Sequence, residues 1–380
     1  MPTMTVKAWM AASLCLLSTW SAPADDRVAN VDQVFQQTDG GFTPPAPQVT
    51  SGTVCAPNAC AANGCGNNYT FQSLSNATSY FCDTCSSSRF QPFVGVEATY
   101  LKPNIHGGAS SATVNGTSSG STQAEGFYAG PRIWAGLRDC NSPLFVQVQY
   151  WQLNGNDVRA LNGPTFGAST GTLSVQTFDF EVGSIFHIDS ICTDGLVTFG
   201  GRHVEWNTSS QVAGSQLQAI DQFSSATATG LSSFSGTGLT FSYQLKRQIA
   251  CTNWSLFASN RYSWIWGEDN NSAISSASAF SPGANSGSIN GALGSGSSQL
   301  WIAEFQVGTQ WQRRLQCINA NAFVRIAFEY QFWDANSNSQ ATAGSFAVAG
   351  PPPVSSSAIA SSGPLGMSLY GVALSTGLTW

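Results

Sequence analysis

Ten segments of this chain alternate apolar and polar residues, and the connections between them come in two kinds that alternate strictly. The segments are 90–102, 126–138, 144–154, 173–189, 196–207, 236–247, 254–266, 299–313, 321–334 and 366–380. Four connections are short and carry one cysteine each, Cys140, Cys192, Cys251 and Cys317. Five are long and polar: 103–124, 155–172, 208–235, 268–298 and 335–364. An antiparallel meander closed into a barrel sorts its connections this way, with tight turns at one rim and large loops at the other. A two-sheet sandwich has no reason to. The expected fold is therefore all-β, a transmembrane up-and-down antiparallel barrel of about ten strands; eight or twelve also meet the even-number condition.

Side chains alternate across a strand, so every second residue shares an environment. In FVRIAFEYQFW, Val324, Ile326, Phe328, Tyr330 and Phe332 oppose Arg325 and Glu329. Trp301, Ala303, Phe305 and Val307 oppose Glu304; Phe178, Phe180 and Val182 oppose Asp179 and Glu181. A continuous apolar face opposite scattered charge fits a barrel with a lipid-facing exterior and a polar lumen. One strand reads less simply: in LVTFGGRHVEW, Arg202 falls opposite His203 and Glu205, and the Gly-Gly pair suggests a bulge. Trp254, Trp264, Trp266, Trp301, Trp311 and Trp333 lie near strand ends, as interfacial girdles do. The closing LYGVALSTGLTW puts Tyr370, Val372, Leu374, Leu378 and Trp380 on one face, similar to the terminal strand of outer-membrane barrels.

The predicted lumen-lining set is Glu97, Asp179, Glu181, Glu304 and Glu329 with Arg132, Arg202, Lys246, Arg261 and Arg325, five acids and five bases. Barrels of about eight strands are filled by side chains, and open channels appear near sixteen. Ten strands leave two readings open. The charges either pair into a salt-bridged plug or line a narrow pore for small solutes.

Only 9% of residues are charged, with three lysines and a net charge of −6, which disfavours a nucleic-acid partner. Lys7, an apolar run over 9–20 and Ala22-Pro23-Ala24 predict a secretory signal peptide over 1–24. Residues 25–88 are irregular and hold Cys55, Cys60, Cys65, Cys82 and Cys85; they predict a periplasmic extension ahead of a barrel over 89–380.

The textures FVGVEATYLKP, GPRIWAGLR with FVQVQYW, LVTFGGRHVEW, FSGTGLTFSYQL leading to WSLFASNRYSWIWG, and the closing pair of strands carry a family resemblance over about 90–380. The chain resembles the pore-forming outer-membrane β-barrel family typified by the Legionella major outer-membrane protein, with planctomycete relatives. That resemblance implies an outer-membrane location, a lipid-bilayer partner and porin activity toward small solutes.

Nine cysteines follow the signal segment, an odd number in an exported chain, so disulfides are expected and at least one thiol is left free or paired between chains. The spacing of Cys55, Cys60, Cys65, Cys82 and Cys85 is read as disulfide rather than metal, and no cofactor is expected. Only His106, His187 and His203 are available for acid–base chemistry; Asp157 shares a rim with His106, but no spacing links them. Catalysis is not expected. A secreted soluble β-protein is the remaining alternative.

Overall fold

The structure, a computed structural model, describes residues 90–380 apart from 107–109, 122, 162–165, 189–192, 220, 250–251, 316–319, 338, 351–352 and 364–365. The signal segment and the cysteine-rich extension lie outside the described residues. In chain order the strands are β1 (Phe90–His106), β2 (Ser110–Val114), β3 (Thr117–Gly120), β4 (Tyr128–Asp139), β5 (Leu144–Leu161), β6 (Phe166–Ile188) and β7 (Thr193–Ala219). They continue as β8 (Gln222–Gln248), β9 (Trp254–Ser281), β10 (Ala284–Leu315), β11 (Ala320–Ser337), β12 (Ala341–Ala349), β13 (Val354–Ser362) and β14 (Gly366–Thr379).

Ten of these pair antiparallel and close into a ring, β1-β14-β11-β10-β9-β8-β7-β6-β5-β4. The last strand closes on the first through Val94 opposite Leu378 and His106 opposite Gly366, so the barrel has no open seam along β1. The ten strands are those expected from the sequence, but several run far beyond their expected ends. β8, β9 and β10 reach 27, 28 and 32 residues, whereas about 9–11 cross a bilayer. Most of the long connections 155–172, 208–235 and 268–298 are strand, not loop.

The exterior changes character along these strands. Near the short-turn rim it shows Val146, Val148, Phe178, Phe180, Phe241, Val324, Ile326, Phe328 and Val372, all exposed. Further up the same face of β9, Trp264 and Trp266 give way to Glu268, Asn270 and Ser272. Trp264 stacks on Trp301 at 4.5 Å and on Trp266 at 5.4 Å. At the other edge Trp254 pairs across the ladder with Trp311. Ten residues from Trp254 to Trp264, at ~3.4 Å each and a tilt near 45°, span roughly 25 Å, the height of a bilayer's apolar band. Trp333 departs from the expected girdle: it points inward and is fully buried. Its odd position in β11 puts it on the face of Arg325 and Glu329.

The expected bulge at Gly200-Gly201 is absent. The ladders of β7 with β6 and β8 run through it in unbroken register, and the only shift is at Leu217/Ala219. Arg202 is buried inside while His203 and Glu205 are outside, by ordinary alternation. Gly308 is set by close approach instead. A Cβ there would collide with the Ile326 carbonyl oxygen of the neighbouring strand. Only glycine lets the wall curve that closely.

Above the band, strands from two of the long connections, 103–124 and 335–364, form a second sheet, β12-β13-β2-β3. It packs on the inner face of the extended β7–β10 wall. The interface is made of small residues: Ala112, Ala226, Ala228, Ala273, Ala341, Ala343, Ala358 and Ala360 are buried with Val114 and Val212. Serines tie the two layers where alanine does not, Ser345 to Ser275 at 2.9 Å and Ser110 to Ser210 at 3.2 Å.

The lumen as the candidate functional site

The interior is stratified along the barrel axis. All ten residues expected in the lumen point inward, and the structure divides them into two groups. Eight form two ion-paired clusters, Glu97, Arg132 and Glu329 in one and Asp179, Glu181, Arg202, Arg261 and Glu304 in the other; Lys246 lies across the ladder from Asp194, and Arg325 donates to Gln310.

Both clusters start from register. Glu97 lies directly across from Arg132, Asp179 from Arg202, and Glu304 from Arg261. Longer reaches then cross the barrel. Arg132 holds Glu97 and, at 2.7 Å, Glu329 of β11. Arg202 Nε and Nη2 donate to the two oxygens of Asp179 at 2.6 and 2.9 Å, and its Nη1 reaches Glu304. Arg261 lies 3.1 Å from Glu181 and 3.6 Å from both Asp179 and Glu304. Glutamines satisfy further carboxylate oxygens: Gln306 donates to Glu329 at 2.9 Å and Gln147 to Glu181 at 2.6 Å. Three arginines thus serve five acids, one cluster tying β1, β4 and β11 and the other β6, β7, β9 and β10. Burial makes each unpaired charge costly, so each cluster fixes its strands at one mutual height.

Toward the long-loop end the lumen turns apolar, a layer that alternation alone does not reveal. Sixteen buried residues cluster there, among them Trp151, Trp206, Trp333, Leu153, Ile265, Leu300 and Leu369. Trp333 packs against Trp151 at 6.2 Å and Trp206 at 6.1 Å between ring centroids. The indoles are tied to the polar layer below: Trp333 Nε1 donates to Gln331 and Gln331 in turn to Glu329. Trp151 Nε1 donates to Thr99 at 3.1 Å, and the Arg132 guanidinium lies over the Trp151 ring at 5.6 Å. A signal for this layer exists in the sequence. The inward parity of Trp151, Trp206 and Trp333 follows from neighbours already placed, but the nearness of Trp333 to a strand end puts it in the girdle reading.

Toward the short-turn end the lumen holds a cavity of about 230 Å³, bounded by Arg132, Arg138, Arg261 and Arg325, by Glu97 and Glu304, and by aromatic walls. Arg325 donates to Gln310 Oε1 at 2.9 Å and lies 4.3 Å from the Phe257 ring centroid. Lys246 Nζ donates to Gln312 Oε1 at 3.2 Å, and Gln310 donates to the same oxygen at 3.3 Å.

The remaining candidates are dispersed. His187 Nδ1 meets Asp194 at 2.8 Å across β6–β7 at the short-turn rim. His203 and Glu205 face outward, 3.4 Å apart. Asp157 accepts from the amides of Glu125 and Gly126 at 2.5 and 2.9 Å and secures the entry to β4, while His106 closes the β1–β14 ladder. The two residues are not brought together as a dyad. Cys140 lies at the β4–β5 turn, and the other eight candidate cysteines lie outside the described residues.

No protein-family model matches this chain, and no curated protein does. Among solved structures, it is similar to the outer-membrane protease OmpT from Escherichia coli at 12% identity, covering 78% of this chain and 99% of that one, with a TM-score of 0.34. A Pseudomonas aeruginosa FadL homologue matches at 8% identity over 77% of this chain and 90% of its own, TM-score 0.30. The CymD monoaromatic hydrocarbon channel matches at 7% identity over 76% and 88%, TM-score 0.19. Likeness this distant carries nothing about activity.

Proposed function

We propose that this protein is an outer-membrane barrel with a closed lumen, a structural envelope component that anchors and displays the β-sandwich above the bilayer. The apolar exterior band and the predicted signal segment support the location. The apolar lumen layer carries the functional reading: three buried tryptophans and their aliphatic neighbours fill the passage directly above the salt-bridged ring. A hydrated solute entering from the short-turn side meets paired charges first and then a layer built almost wholly of apolar side chains. Both barriers would have to be dismantled together, because Gln331 and the Arg132–Trp151 contact couple them. Of the two readings the charges allow, this is the plug; the resemblance to a pore-forming family supports the other.

Above the bilayer, the small-residue interface gives two sheets a close, regular contact suited to a rigid platform. The outer face of that platform presents Thr227, Thr229, Ser272 and Ser276 with Ile289 and Leu293 standing proud. Osmotic swelling of proteoliposomes made with the purified, heat-modifiable protein tests the proposal. Swelling no faster than protein-free liposomes in small sugars is expected; porin-like rates would overturn it.

A further inference from the structure

We infer that the cavity on the short-turn side of the charge layer is a binding site for a small aromatic carboxylate. Such a site goes beyond the closed-barrel reading and does not require the lumen to conduct, since it lies below the barrier.

Charge points to it first. Four arginines and two glutamates border the cavity. Both glutamates are already committed, Glu97 to Arg132 and Glu304 to Arg202 and Arg261. Arg132 and Arg261 are themselves paired with carboxylates, two and three respectively, which leaves the cationic character of the cavity to its other guanidinium groups. Arg325 is the centre of it. Its hydrogen bonds go to the neutral Gln310, and its other contacts are the rings of Phe257 and Phe323 at 4.3 and 5.6 Å. Among the described residues no carboxylate lies within ion-pair distance of this guanidinium. A half-buried guanidinium whose hydrogen bonds go to a neutral amide gains a stronger, charge-assisted partner when a carboxylate is brought against it.

Donor supply points the same way. Arg132 Nε and Arg261 Nε, on residues bordering the same cavity, are buried and lack an acceptor among the described residues. A carboxylate has about four lone-pair sites and accepts a guanidinium in bidentate fashion. Gln310 is already turned with its oxygen to Arg325 and its Nε2 to Gln312, which holds the guanidinium plane in place.

Wall chemistry sets the rest of the ligand. Phe93, Trp134, Phe145 and Phe323 border the space, and Trp134 stacks on Phe323 at 6.4 Å with 24° between planes. Aromatic faces set beside guanidinium donors in an otherwise polar lining select a ligand having a ring for a body and a single acidic head. About 230 Å³ falls just under the ~300–1,000 Å³ of sites for drug-sized ligands, which limits the body to one ring.

The test uses benzoate with the full-length protein in detergent micelles, read by calorimetry. Saturable binding is expected, with benzyl alcohol and acetate each at least about tenfold weaker, because one lacks the charge and the other the ring. Arg325→Gln should weaken benzoate at least about tenfold while leaving benzyl alcohol unchanged, and Arg325→Lys should recover part of the loss. Absence of saturable benzoate binding to heat-modifiable wild-type protein would overturn the inference. So would benzyl alcohol binding as well as benzoate, a comparison that needs no variant and so survives a misfolded Arg325→Gln.

Discussion

Replacing Arg132 by methionine strikes the point where the charge layer is most economical. One guanidinium neutralises two carboxylates, Glu97 and Glu329, of which Glu329 is wholly buried and Glu97 is 6% exposed. Removing it leaves both without their cation, and the remaining partners are glutamine amides: Gln306 at 3.3 Å from Glu97 and 2.9 Å from Glu329, and Gln331 on Glu329. Breaking a buried pair from one side costs about 3–5 kcal/mol, since the uncompensated charge stays behind. The triple variant Arg132→Met/Glu97→Gln/Glu329→Gln removes all three charges together and should recover at least half of that loss, because neutral replacement of a buried ion group is often close to neutral. Guanidinium-dependent folding into lipid vesicles, followed by tryptophan fluorescence and by heat-modifiable gel mobility, measures both. A single variant within about 1 kcal/mol of wild type, or a triple variant no more stable than the single, would refute the claim that this network is paired and dry.

Three further outcomes follow from separate parts of the wall. Gly308→Val should yield no heat-modifiable barrel, because its side chain would meet the Ile326 carbonyl; a folded variant would show that β10 and β11 do not approach as described. Trp301→Ala should lower stability by about 0.5–1.5 kcal/mol beyond the lost area, through the broken stack with Trp264, and the effect should fall away in a Trp264→Ala background. The Glu125 amide, then the Gly126 amide and Tyr128, hold the Asp157 carboxyl below its ordinary range, so its contribution is complete above an unfolded pKa of ~3.9 and is lost as pH falls through the lower folded value. Hydrogen exchange at the amides of residues 125 and 126 should accelerate over that acid window in wild type, and Asp157→Asn should exchange fast already at neutral pH.

The barrel is legible in the sequence because its membrane-crossing part is written in strong letters. Phenylalanine, valine and tryptophan alternate with charge, and the period of two assigns every lumen residue to its side. The upper half is written in alanine, serine, threonine and glycine, whose alternation carries little hydrophobic contrast. In ATAGSFAVA, the buried set is Ala341, Ala343, Ser345, Ala347 and Ala349, and Phe346 faces outward, the reverse of what hydrophobicity alone suggests. Sequence pattern therefore predicts a long polar connection where β12 and β13 stand. The clue available is the repeat of small residues at every second position. Pairing partners are legible only where register puts opposite charges face to face, as with Glu97 and Arg132. The contact of Arg132 with Glu329 spans the lumen between strands 197 positions apart and depends on the barrel's curvature, which no local pattern encodes.

The place of Arg325 is equally hidden. Five acids and five bases suggest mutual neutralisation, yet three arginines take all five acids. Arg325 instead meets the neutral Gln310 and the rings of Phe257 and Phe323, contacts that no spacing in the sequence marks.

Single-channel recording in planar bilayers tests the central claim most directly, comparing wild type with Trp151→Ala/Trp206→Ala/Trp333→Ala. A closed lumen predicts that heat-modifiable wild-type protein leaves the membrane silent and that the triple variant, with its indole layer deleted, gives discrete openings. Discrete currents from the wild type of the same size as those of the variant would contradict it.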